Sequence, residues 1–461
     1  MLARIFTLLL AVVLFPIPFA GAQEGTNIQR YVDQMVASGV PGAAIVVTQG
    51  DRILATGSGG ELDTNSRVPI ASLTKAFTAT AVMKLVEDGR VDLDERAAKY
   101  LPEFQLDDPR GEFITVRQLL NQSSGITDAT LGFNQYRVGN VRTEDAVRQL
   151  SRTRLAYDPG SSWDYCNANY WVLQQLIETI SGEPLAEFLA QNVLEPLGMT
   201  DTGFASAPAT LPELAPTYSY AFGRPISLAQ PELFYGGAGG MASTLDDLGI
   251  WLRFQHGFIP GVLTSDSLAE LHRRQSPLHQ YKVGYALGWW SGEPADGGIP
   301  RVSHSGSGPD VSTYAGLFPD DIAIGVLIDA TGPQADRVAA DIHGLLVGNE
   351  PTNVQIAPSA WPDVCAIFFS VLVALAVLRS ARAQLSASRL RFWLLTVALT
   401  ATATGCFLAP QTVALLMKRQ ASWGMLWHYS PVFTLVLLSI GTLALLSVAG
   451  RLLHSRRHSP R

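Results

Sequence analysis

The 461-residue chain is 47% hydrophobic and only 16% charged, against about 25% charged residues in a soluble globular protein, which excludes a fold exposed to water throughout. All 40 acidic residues lie between Gln23 and Asp363 with 22 of the 33 basic ones, leaving that stretch at −18 and the C-terminal part basic and apolar. An acidic body lacks the clustered Lys and Arg that a phosphate backbone demands, so nucleic acid is excluded as a partner. Three cysteines without a C-x-x-C pair offer neither a disulfide framework nor a thiolate metal site.

In chain order, Arg4, the apolar residues 5–19 and Ala20-Gly21-Ala22 have the charged start, greasy centre and small-residue end of a secretory signal, predicted as residues 1–22. An exported body, 23–349, follows. Residues 28–37 have helical spacing and stop at Gly39. Residues 42–48 and 53–56 read as a hairpin across Gly50-Asp51. Ser72-Leu73-Thr74-Lys75 opens a helix with Leu73, Phe77, Val82, Leu85 and Val86 in rhythm, ended by Asp88-Gly89. Near the far end, 312–318 and 322–328 form a second strand pair around Pro319-Asp320-Asp321, and 333–346 reads as an amphipathic helix. Strands at both extremities with helical pattern between them predict an α/β architecture: one antiparallel sheet flanked by helices, with an inserted, mainly helical domain.

A linker, 350–362, leads to three charge-free runs, 364–378, 392–417 and 423–450. These are predicted as three transmembrane helices at about 363–380, 392–417 and 428–450, with a basic tail at 451–461. Basic residues stay on the cytoplasmic side, which predicts a multi-pass protein of the cytoplasmic membrane. Membrane lipid surrounds the three helices and the body faces the periplasm or exterior. The spans carry no acidic and no buried basic residue in this reading, which argues against an ion path through them.

Chemistry concentrates at Ser72. At a helix start its hydroxyl lies beside unpaired N–H groups that can hold an oxyanion. Lys75 is one turn on, on the same face. The positive end of the helix dipole disfavours its ammonium form and so favours a proton-accepting amine. S-x-x-K alone is weak, and a lone Ser72 reads as a helix N-cap. Further groups follow in order: Tyr165-Cys166-Asn167 after the loop Asp158-Pro159-Gly160, and His304-Ser305-Gly306 before the late strand pair. There is no H-E-x-x-H and no G-x-S-x-G, and Gly236 to Gly240 lacks the context of a nucleotide loop. Trp289-Trp290 reads as sheet packing or as an aromatic wall of an acyl pocket.

This ordered set, with residues 70–77, Leu119-Leu120-Asn121-Gln122-Ser123-Ser124-Gly125, Leu194-Glu195-Pro196-Leu197-Gly198-Met199 and 236–248, resembles the serine β-lactamase and penicillin-binding family. The likeness is to its class C β-lactamase-like branch of D-peptidases and esterases, and it covers residues 28–347. The resemblance implies Ser72 as acylated nucleophile, Lys75 and Tyr165 as the proton-handling pair, and Asn167 on the substrate amide. His304, Ser305, Gly306 and Ser307 would line the opposite wall, with the Ser72 and Ser307 amides as oxyanion hole. No cofactor or metal is implied. The substrate would be a small peptide, β-lactam or ester. Three departures stand out. His304 occupies a position where many β-lactamases carry Lys, which favours the peptidase and esterase relatives. Gln122 replaces a common His, and Cys166 a common Ser. The competing expectation is a sensing or scaffolding membrane protein that uses the same pocket without turnover.

Overall fold

The computed structural model describes residues 20–131, 142–205, 213–228, 235–275, 283–293, 301–332, 334–349, 357–382, 389–417 and 421–457. Most of the predicted signal segment and residues 350–356 of the linker fall outside them. Seven antiparallel strands form one sheet in the order Arg52–Gly60, Gly42–Gln49, Ile322–Ile328, Ser312–Leu317, Arg301–Ser307, Trp290–Gly292 and Val283–Tyr285. The two chain extremities pair directly, with Ala43 opposite Ile328 and Gln49 opposite Ile322. The first hairpin closes through the expected two residues, with Gly50 at φ 62°, a left-handed value that suits glycine.

Both faces of the sheet are covered. Successive side chains of a strand point to opposite faces, and Ala43, Ile45 and Val47 pack with Tyr31, Met35, Val338 and Ile342 of the helices Ala20–Ala37 and Ala335–Leu346. Ala44 and Val46 join a second, larger core with Phe77, Leu248 and Trp251. Each fully buried aliphatic side chain contributes about 1.5–3 kcal/mol, so the sheet is clamped from two sides.

The helix Thr74–Glu87 lies inside that larger core. The sequence predicts one apolar face, yet Thr74, Lys75, Thr78 and Thr80 are buried as well. Its threonines are satisfied by neighbouring segments: Thr78 Oγ1 donates to the Gly237 carbonyl at 2.7 Å, Thr74 Oγ1 accepts from the Met241 amide at 3.1 Å, and Thr80 Oγ1 accepts from Gln255 at 3.3 Å. Phe77 stacks on Trp251 with ring centroids 3.7 Å apart. A helix enclosed on all sides hides its period, because no face needs to be polar.

The C-terminal helices differ from the expectation of three plain spans. Among the described residues one helix, Pro431–Leu453, is by itself long and apolar enough to cross a membrane. The second expected span is bent by 66° between Phe392–Phe407 and Ala409–Leu416, and the first is the shorter apolar stretch Trp361–Ala376. Pro410 explains the bend, since its ring collides with the preceding turn and it has no N–H to give. Pro431 likewise excludes helix at Ser430, which sits at φ −153° and ψ 74°, so Trp423–Tyr429 is a separate short helix. The helix Pro431–Arg457 packs against Arg389–Phe407 and Trp361–Arg382. A Cβ on Gly441 would meet the Cys406 Cβ at 3.0 Å, the close approach that small residues permit. Arg451, expected to begin a tail, is 1% exposed and donates to the Phe392 carbonyl at 3.3 Å. The reading of spans without a buried basic residue is corrected accordingly.

Candidate active site

Ser72 lies in a single 3-10 turn, Ala71–Leu73, that runs into the helix Thr74–Glu87. Ala71 stands at φ 45°, a left-handed value that costs a residue with a Cβ about 1–2 kcal/mol. The turn is held there by outside bonds. The Ile70 amide donates to the Met241 carbonyl at 2.9 Å, and Thr313 Oγ1 donates to the Ile70 carbonyl at 3.0 Å. The backbone at Ser72 is thus fixed by two strands distant in sequence.

Lys75 is fully buried, and its Nζ lies 3.3 Å from Ser72 Oγ. It donates to Asn167 Oδ1 at 2.7 Å and to the Ala238 carbonyl at 2.6 Å. Carbonyl oxygens can only accept, so both short bonds consume an N–H. A neutral amine then has its lone pair left for the Ser72 hydroxyl, and an ammonium would place its third N–H there. The longer contact is therefore where a proton can pass in either direction. The Tyr165 ring flanks the amine at 4.8 Å from Nζ to the ring centre, and Tyr170 lies at 5.5 Å. Asn167, expected on the substrate amide, lies beside Lys75 with its side-chain oxygen accepting from the amine.

The opposite wall is the strand Arg301–Ser307. His304 is 2% exposed. Its Nδ1 lies 2.8 Å from the Ser305 carbonyl and its Nε2 lies 3.0 Å from the Tyr285 hydroxyl. Since the carbonyl accepts, Nδ1 is assigned the hydrogen and Nε2 accepts from Tyr285. Burial, with the Lys75 charge adding to it, pushes His304 down to about 3. The imidazole is thus neutral and turned into the wall, with both nitrogens engaged. Ser305 is half-buried and Ser307 exposed. Gly306 is a steric necessity: a Cβ there would lie 2.1 Å from the Ile70 carbonyl oxygen and 2.1 Å from Thr313 Oγ1. Only a bare backbone lets this strand touch the Ser72 turn.

Several contributors escape a linear reading. Gln122 stands at φ 65°, fully buried. Its Oε1 accepts from the Cys166 amide at 3.1 Å and Asn169 Nδ2 at 2.6 Å, and its backbone oxygen accepts from the Asp164 amide at 3.1 Å. It therefore grips both flanks of Tyr165. Tyr285 supports His304, and the short turn Gly236–Ala238 supplies the carbonyl for Lys75. Burial pushes the Cys166 thiol up, which keeps it protonated and unreactive. Trp289 is buried edge-on to His272, whereas Trp290 is half-buried beside Trp163, ring centres 5.2 Å apart, and Tyr285 at 5.0 Å. The aromatic-wall option falls to Trp290 alone. A cavity of about 630 Å³ lined by His256, His272, Arg301 and Phe318 includes none of the expected site residues. Among the described residues no group of three or more His, Cys, Asp or Glu could hold a metal ion.

A family model described as Beta-lactamase matches residues 28–349. The chain belongs to the beta-lactamase family. Protein flp of Staphylococcus aureus strain COL is 26% identical over 325 residues, covering 68% of this chain and 64% of that protein. The putative penicillin-binding protein PbpX of Bacillus subtilis strain 168 is 27% identical over 266 residues, covering 56% of this chain and 64% of its own. The chain thus spans less than two thirds of the length of these relatives. Among solved structures, an octameric penicillin-binding protein homologue from Pyrococcus abyssi superposes with a TM-score of 0.59 at 25% identity, covering 72% of this chain and 78% of the other. A D-stereospecific amidohydrolase from Streptomyces sp. gives 0.55 at 28% identity, covering 66% and 94%. The beta-lactamase-family fold, an antiparallel sheet with helices on both faces, is the one the sequence leads to. The family match covers the body and stops before the C-terminal helices.

Proposed function

We propose that the chain is a membrane-anchored serine hydrolase acting outside the cytoplasm. It would cleave the amide or ester bond of a D-amino-acid peptide, a β-lactam or a small ester through an acyl-enzyme on Ser72. The observation that carries this reading is the Lys75 amine, fully buried, pinned by two carbonyl acceptors and aimed at Ser72 Oγ from 3.3 Å. The D-stereospecific amidohydrolase among the structural relatives supports the amide class. The anchor is the bundle of C-terminal helices, in which the bent pair counts as one pass and the body stays on the outer side.

In the proposed cycle Lys75, with Tyr165 beside it, takes the Ser72 proton as Oγ attacks the substrate carbonyl carbon. The oxygen of the tetrahedral intermediate is held by the Ser72 and Ser307 amides. The proton passes to the leaving nitrogen or oxygen, the bond to it breaks, and the acyl group remains on Ser72. Water then gives a proton back by the same route and its oxygen takes the acyl group as a carboxylic acid. His304 contributes no charge, being neutral, and serves to fix the wall.

Incubating the protein with a fluorophosphonate and with a fluorescent penicillin, followed by mass spectrometry, tests the assignment. An adduct on the peptide carrying Ser72, abolished by Ser72→Ala, is expected. An adduct that survives this substitution sinks the reading. An acyl group from a peptide or ester substrate that forms on Ser72 and never hydrolyses favours a sensor over an enzyme.

A further inference from the structure

The hairpin formed by Tyr218–Ala221 and Arg224–Ser227 has no counterpart in the sequence reading, and its contacts run in two directions. Toward the C-terminal helices, the Phe222 amide at its tip donates to Asp363 Oδ2 at 2.7 Å, at the start of the helix Trp361–Arg382. Ser219 Oγ donates to the His428 carbonyl at 2.5 Å, in the short helix Trp423–Tyr429. Phe222 and Gly223 at the tip stand at φ 52° and 70°, and a Cβ on Gly223 would lie 3.0 Å from the Ala360 nitrogen. The tip is therefore fitted to the foot of that helix.

Toward the body, the hairpin strand is bonded to the sheet end, with the Tyr218 amide on the Asp329 carbonyl at 2.8 Å. Thr217, just before it, donates its hydroxyl to Asp310 Oδ2 at 2.5 Å. Both side chains are buried, each residue 5% exposed. Asp310 belongs to the tight loop that leaves Ser307 and returns at Ser312, closed by the Gly308 amide on the Val311 carbonyl at 3.0 Å. Two short polar contacts, Ser219 to the His428 carbonyl and Thr217 to Asp310, thus connect helix Trp423–Tyr429 to the loop behind Ser307 along the strand that carries both residues.

We propose that this hairpin couples the C-terminal helices to the oxyanion side of the cleft, with Thr217 and Asp310 as positioning residues for the Ser307 amide. The inference rests on the reading of Ser72 as nucleophile and Ser307 as oxyanion donor. The helices then do more than tether: they set the position of one wall of the site. Deleting an oxyanion donor costs about 10²–10³ in rate. A donor that is displaced and still present costs less, about tenfold.

The test uses the full chain in lipid nanodiscs. It measures the second-order rate of fluorophosphonate labelling and the inhibition constant of phenylboronic acid, whose boron takes Ser72 Oγ to form a tetrahedral oxyanion mimic. Thr217→Val and Asp310→Asn are each expected to lower the labelling rate about tenfold and to weaken the boronate by a similar factor. Thr217→Ser, which keeps the hydroxyl, should restore both. Ser219→Ala and Asp363→Asn, further along the chain of contacts, should cost about two- to threefold and speed hydrogen exchange of the amides at 307–311. Wild-type labelling and boronate binding in both Thr217→Val and Asp310→Asn overturn the coupling, as does a Thr217→Ser variant as slow as Thr217→Val. Absence of labelling in the unsubstituted protein instead overturns the Ser72 reading, and this inference with it.

Discussion

The body and the C-terminal helices break the ordinary rule of soluble proteins in opposite senses. In the body an ionisable amine, Lys75, is wholly enclosed, while in the helices Leu390, Leu415 and Leu446 are 69%, 75% and 64% exposed. A buried ammonium without partners is untenable, and Lys75 is tolerated because three acceptors surround it. Exposed leucines in such numbers are untenable in water and ordinary in hydrocarbon. In the proposed function each departure has a use: the enclosed polar atoms would handle a proton, and the outward apolar atoms would face lipid.

Four substitutions or conditions would break or sharpen that contrast. The largest effect is expected from Lys75→Met, which should slow labelling at Ser72 by about 10³-fold, within the range of general-base losses. Lys75→Arg should not restore the rate, because a guanidinium stays charged. If Lys75→Met labels normally, the enclosed amine has no chemical role. Next, Leu445→Asp, at a residue 54% exposed near the middle of Pro431–Leu453, should oppose insertion by about 3 kcal/mol. It should lower the membrane-bound fraction in a fractionation assay. Unchanged partition would mean that this face does not meet lipid.

Gly306→Ala should destabilise the body by about 1–3 kcal/mol, the usual cost of forcing atoms into a packed site, and depress labelling as the wall moves off the Ser72 turn. Chemical denaturation and labelling rates check both. The smallest effect is a pH slope. Burial pushes His272 to about 3, and burial with the Lys75 charge does the same for His304. Unfolded histidines bind a proton near 6.5, so this contribution is complete above pH 6.5 and lost as pH falls from there toward 3. Each group adds up to about 1.4 kcal/mol per pH unit. Asp329 opposes it, because burial raises its carboxyl to about 7, and its contribution is complete at low pH and lost as pH rises to 7. Unfolding midpoints at pH 7.5, 6 and 5 should therefore fall toward acid, and Asp329→Asn should steepen the fall. A flat profile in that variant would show that the histidines charge freely.

Local signals carried the sequence reading far. The Gly50-Asp51 hairpin, the late strand pair and the one-turn spacing of Ser72 and Lys75 are each set by neighbours in the chain, and all three reappear in the structure. What escaped is what depends on distant partners. Nothing adjacent to Gln122 signals that its side-chain and backbone oxygens together would grip both flanks of Tyr165. Nothing near Ala238 signals that its carbonyl would face Lys75. The hairpin at 218–227 is short and half-polar, with a phenylalanine at a left-handed position, so no periodicity announces it. The broken run at 392–417 was legible in principle, since Pro410 is written there, but uniform hydropathy outweighed a single ring.

The pairing of Gly42–Gln49 with Ile322–Ile328 also sets an order of events during synthesis. Non-local strand pairing is slow because the intervening loop must be closed first. A nascent chain therefore holds its serine and amine long before the strand that will face them exists. In the proposed function, hydrolytic competence would arrive late and all at once, when the last strands have emerged.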